Sequence, residues 1–114
     1  MSMARDDLLY LDDIQEAIET IFGYVQGIEV DEFKQQQMLQ DAVVRQIEII
    51  GEATKHLSEG IRKANPQVPW RAIAGTRDRL IHGYFAVDLD EIWLTIQQDL
   101  PVLRQEVTRL LSES

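Results

Sequence analysis

The sequence predicts an all-α fold, an antiparallel bundle of four main helices. Three observations carry that expectation. Apolar residues recur at steps of three and four along most of the 114 residues, which lays a stripe on one face of a helix. No stretch shows convincing strand character. Gly27, the 59–69 stretch with Gly60, Asn65, Pro66 and Pro69, and Gly83 divide the pattern into helix-sized pieces.

The first helix is expected over roughly 5–26, where Leu8, Leu11, Ile14, Ile18, Ile21, Phe22 and Val25 share a face and Asp12, Asp13, Glu16 and Glu19 fall largely elsewhere. Gly27 supplies a stop. A second helix over roughly 32–58 starts after Asp31 as N-cap and carries Val43, Ile47, Ile50 and Leu57 on one stripe. Leu39, Ala42, Ile49 and Ala53 form a neighbouring stripe, so the apolar surface is wider than one partner helix needs. With Gly51 and Ala53 permitting close approach, this helix has two readings: packing on two neighbours within one chain, or packing also on a second copy. Arg45, Glu48, Glu52, Lys55 and His56 read as ordinary surface pairs at i,i+3 and i,i+4.

Residues 59–69 form the clearest connector. Pro69 suits the first position of a third helix, with Trp70 and Ile73 opening its buried face and Gly83 allowing it to end near His82. The last helix starts from Asp88, with Glu91 completing a capping box. Its apolar side is Leu89, Ile92, Trp93, Ile96, Leu100, Leu103, Val107 and Leu110, and Pro101 is expected to bend or split it. Both tryptophans read as core.

A chain of this length suits one domain, here residues 1–114. Hydrophobic residues at 45% and charged ones at 27% place it among folded proteins, not disordered ones. The lack of cysteine excludes disulfides and thiolate metal sites. With no apolar run of membrane-spanning length and no secretory start, the expected location is the cytoplasm.

A net charge of −9 argues at first against nucleic acid, because phosphate binding is driven by Lys and Arg displacing counterions. Its distribution changes the reading. Residues 1–60 hold four basic and thirteen acidic side chains, 61–85 hold five and one, and 86–114 hold two and six. The single basic zone contains the stretch RDRLIHGY, from Arg77 to Tyr84.

That stretch groups three chemistries: a guanidinium that forks onto phosphate, an imidazole that moves protons near neutral pH, and a phenol that can accept a transferred group. Arg77 and Tyr84, seven apart, share a helical face, whereas Arg77 and His82, five apart, point about 140° away from each other. Either the last turn loosens near Gly83 or the site draws on two symmetry-related helices. Asp78 precedes His82 by four residues, where it would accept an imidazole proton.

The run TRDRLIHGYFAVDLDEIW, preceded by PQVPWRAIAG and by IIGEA in the second helix, resembles the HEPN superfamily and, within it, the small HepT-like toxins. Their pattern is Arg, four residues, His, one residue, Tyr, met here at Arg77, His82 and Tyr84. Thr76 departs from the larger apolar residue expected before the arginine.

The resemblance covers nearly the whole chain. It implies a homodimeric all-α bundle whose interface cleft is lined by both motifs, and an endoribonuclease needing no metal or other cofactor. It also implies a minimal nucleotidyltransferase antitoxin that moves AMP from ATP onto Tyr84 and silences the toxin. His82 would then be the acid/base group, and Arg77, helped by Arg79, would stabilise the phosphorane. The alternative is a non-catalytic module that holds a nucleotidyltransferase partner or a nucleotide through Arg77.

Overall fold

The apolar stripes become helices laid side by side. The computed structural model describes residues 3–81 and 88–114, with the backbone alone for residues 79–81; it contains helices and no strand among the described residues. The all-α expectation therefore holds, while several boundaries move.

Helix α1, Arg5–Val25, buries Leu11, Ile14, Ile18, Ile21 and Val25. It ends before Gly27, whose φ of +73° is a left-handed conformation that a side chain would resist.

The second helix is broken, contrary to expectation. Helix α2, Val30–Gln35, and helix α3, Gln37–His56, are separated at Gln36, which is extended at φ −116° and ψ 93°. The N-cap of α2 is Glu29, and Asp31 sits in its first turn. Burial of Phe33 explains the break: the ring is fully enclosed and lies 5.3 Å from the ring of Trp93. The Gln40 amide donates to the freed carbonyls of Phe33 and Lys34, both at 3.0 Å, so the interrupted backbone keeps its partners.

The 59–69 connector also contains a helix, α4, Glu59–Ala64. Ser58 caps it, its Oγ accepting from the Ile61 N–H at 3.3 Å. The buried Asp7 carboxylate in turn accepts from Ser58 N at 2.8 Å and Ser58 Oγ at 2.6 Å, tying α4 to the start of α1. Pro69 stands just before helix α5, Trp70–Ile81, with its carbonyl accepting from Ile73 N at 3.1 Å. Trp70 and Ile73 are buried as expected, and the Trp70 indole N–H donates to the Asn65 carbonyl at 3.0 Å. The expected end of this helix at His82 and Gly83 lies outside the described residues.

Helix α6, Leu89–Leu94, starts at Asp88, whose carboxylate accepts from the N–H groups of Asp90 at 3.0 Å and Glu91 at 3.2 Å. Pro101 splits the segment as anticipated. Lacking an N–H, it leaves the Gln97 carbonyl without its usual partner, and the chain widens into a π-helical turn, Thr95–Asp99, in which Leu100 N reaches back to Thr95 O. Helix α7, Leu100–Ser112, follows.

Helix α1 packs along α3 and also against α7, while α5 packs on α3 and α2 contacts both α3 and α6. The core between them is built from Leu11, Ile14, Ile18, Val43, Ile50, Ile96 and Leu103. No helix among the described residues is long and apolar enough to cross a membrane.

Candidate active site

Helices α3 and α5 approach most closely at Gly51. A methyl group there would lie 2.1 Å from Cβ and 2.6 Å from Cγ of Arg77, well inside van der Waals contact, so the position accepts only hydrogen. The absent side chain lets the Arg77 stem lie directly on the backbone of α3. Gly51 thus serves an approach within one chain.

The next residues on α3 reach for the guanidinium. Arg77 Nη2 donates to Glu52 Oε2 at 2.6 Å, and Nη1 donates to Asp78 Oδ1 at 3.1 Å. Lys55 Nζ donates to the same Asp78 oxygen. The other oxygen of Glu52 meets His56 Nε2 at 3.0 Å, and the His56 ring stacks on Tyr10 at 5.3 Å with 18° between planes. The Arg77 side chain is 21% exposed, against 48% for Glu52 and 41% for Asp78. It is therefore the least hydrated member of the group, and its ion pairs are screened less than ordinary surface pairs.

Two acids and two bases make the quartet of Arg77, Glu52, Asp78 and Lys55 formally neutral. The Lys55 ammonium, and then the Arg77 guanidinium, hold the Asp78 carboxyl below the usual carboxylate range. Arg77 Nε is buried without a hydrogen-bond partner, which leaves the guanidinium fixed by its outer nitrogens. What such a group offers is a positive fork of fixed direction, suited to a phosphate.

Of the residues singled out from sequence, Arg77 and Asp78 are brought together on α5 and joined to α3. Arg79 lies on the same helix, with its side chain outside the described residues, as are His82 and Tyr84 altogether. Glu52 and Lys55 correct the sequence reading. Only the Glu52 to His56 contact is the i,i+4 pair expected; the other contacts cross to α5. The signal that marks them is the glycine beside Glu52, since a glycine inside a helix signals close backbone approach. Thr76 is buried, its hydroxyl donating to the Ala72 carbonyl at 3.0 Å, so the small polar residue is accommodated within its own helix. Among the described residues no three His, Cys, Asp or Glu side chains are grouped to hold a metal ion.

Comparisons with known proteins bear on the same residues. A family model described as "Ribonuclease HepT-like" matches residues 14–110. The chain is 41% identical over 108 residues to "Probable ribonuclease HepT" of Thermococcus cleftensis, covering 95% of this chain and 98% of that protein. It is 41% identical over 104 residues to "Putative RNase TTE0752" of Caldanaerobacter subterraneus, covering 91% and 93%. It is 36% identical over 109 residues to "Putative RNase MJ1216" of Methanocaldococcus jannaschii, covering 96% and 90%. No solved structure matches. The match spans the α3–α5 contact and the Arg77 to Tyr84 motif: the chain belongs to the HepT-like ribonuclease family of the HEPN superfamily.

Proposed function

We propose that the protein is a toxin-type endoribonuclease of the cytoplasm, acting as a homodimer that places two Arg77 to Tyr84 motifs around one cleft. The observation that carries this reading is the seating of Arg77. A glycine gives it room and a glutamate from another helix orients it, which is unusual care for a surface arginine and is what transition-state stabilisation requires. The names of the relatives agree with RNA as substrate.

His82 removes the proton from the ribose 2′-hydroxyl, or returns one to the departing 5′-oxygen, and a second histidine across the dimer axis takes the complementary role. Arg77 stabilises the charge of the phosphorane, assisted by Arg79. Asp78 and Glu52 hold Arg77 in direction. No metal is assigned a part. Tyr84 receives AMP from a nucleotidyltransferase antitoxin, and the added phosphate lays negative charge on the phosphate-binding arginine, which blocks the substrate.

Cleavage of purified RNA by the folded protein tests this reading. His82→Ala is expected to lower the rate by about 10²–10⁴-fold, and Arg77→Lys by about 10²-fold or more, with EDTA without effect. A rate unchanged in both variants rejects the catalytic assignment and leaves a binding module. Co-expression with a nucleotidyltransferase is expected to add mass in AMP steps that Tyr84→Phe removes; mass retained in that variant reassigns the tyrosine.

A further inference from the structure

The quartet around Arg77 is electrically neutral, so the attraction that brings a polyanion to an acidic protein has to come from beside it. A depression of about 330 Å³ lies next to the quartet, between α4 and the facing parts of α3 and α5. Its rim carries Lys55, Arg62, Lys63 and Arg71, with Glu59 the one acid. Lys63 pairs with Glu59 at 3.4 Å and Lys55 with Asp78. Arg62 and Arg71 have no acidic partner among the described residues, and Arg62 Nε is buried with no hydrogen-bond partner at all. Elsewhere Lys34, Arg104 and Arg109 are each matched to carboxylates; Arg5 and Arg45 also lack an ion pair among the described residues, but both are exposed and neither lines the groove. Arginines left unmatched together on a chain of net charge −9 mark a place where the counter-charge is supplied from outside.

We infer that this groove is a phosphate-binding subsite for the RNA strand, taking backbone phosphates next to the one held at Arg77. The inference rests on the ribonuclease reading and adds where the rest of the substrate lies. Lys55 belongs to both the groove and the quartet, which makes the two surfaces continuous. Arg71 and Arg77 are six residues apart on α5, about 9 Å along its axis and about 120° around it, so a strand that meets both bends around the helix within a few nucleotides. The open shape and the strung-out cations suit a strand better than one compact anion, and guanidinium forks bind phosphodiester oxygens without reading sequence.

The test is binding of the full chain to a fluorescent single-stranded 2′-O-methyl oligonucleotide, which cannot be cut, over a range of salt concentrations. Arg62→Gln/Arg71→Gln is expected to weaken binding and to flatten the dependence of log K on log salt by about 1.4, two phosphate contacts at about 0.7 each. Lys34→Gln/Arg104→Gln, equal in net charge, is expected to leave the slope unchanged. Arg71→Gln alone, at an exposed position, is expected to show half the effect and guards against misfolding of the Arg62 variant. An unchanged slope in these groove variants overturns the subsite, and if wild type still cleaves RNA the ribonuclease reading survives. Wild type that neither binds nor cleaves removes both. Unchanged RNA binding with lost capture of the nucleotidyltransferase assigns the groove to a protein and overturns the inference.

Discussion

Gly51 has no side chain because Arg77 stands where one would be. Alanine at that position gains helix propensity but forces α3 and α5 apart, and the second effect is the larger. Gly51→Ala is expected to cost about 1–3 kcal/mol in a urea melt, together with the Glu52 to Arg77 alignment. Gly23 provides the contrast: it is exposed on α1 with no atom within 4 Å of a built methyl, so Gly23→Ala is expected to add about 0.5–1 kcal/mol. Equal effects of the two substitutions would show that the contact between α3 and α5 is looser than the geometry describes. At this scale the sequence was half legible. The motif and the small residue at 51 could be read directly, since composition and spacing are local. That Glu52 and Lys55 leave their own helix for α5 could not, because residues 25 and 23 positions apart in sequence meet only once two helices have been placed.

Helix α3 is fastened to α5 by charge as well as by packing, and this gives the pair of elements a pH dependence. Asp78 is held below its unfolded pKa by Lys55 and Arg77. The stabilisation is then complete above about pH 5 and is lost as pH falls through the folded-state value, because the unfolded chain takes up the proton first. Wild type is expected to lose melting temperature more steeply than Asp78→Asn between about pH 5 and about pH 3, with the two curves converging at the acid end. Parallel curves would mean that the carboxylate contributes nothing between the helices. The elements themselves were legible where periodicity and punctuation agree, as in α1 with Gly27 and in the Asp88 cap. They were misread where tertiary burial decides. The chain breaks at Gln36 so that Phe33 can meet Trp93, and neither residue signals that partner locally. Residues 59–64 wind into a turn and a half because Ser58 and Asp7 cap them from outside, an arrangement that spans 51 positions.

For the molecule as a whole, the acidic balance sets the terms of self-association. Two chains of −9 each repel at long range, and salt screens that repulsion. The proposed homodimer is therefore expected to tighten as ionic strength rises from about 0.01 M to about 0.15 M, where the Debye length falls from about 30 to about 8 Å. Sedimentation equilibrium at micromolar concentration measures this, and a monomer at every salt concentration would remove the shared cleft. RNA binding is expected to respond in the opposite sense, so one titration separates the two kinds of contact.

The widened turn at Thr95–Asp99 absorbs one residue more than a regular helical turn. Excising a residue there would restore a regular spiral with α7 in nearly the same phase, but it would bring the ring of Pro101 against the carbonyl four residues before it. Length, not identity, is what this stretch must preserve: its exposed glutamines at 97 and 98 can be exchanged freely, but neither can be deleted.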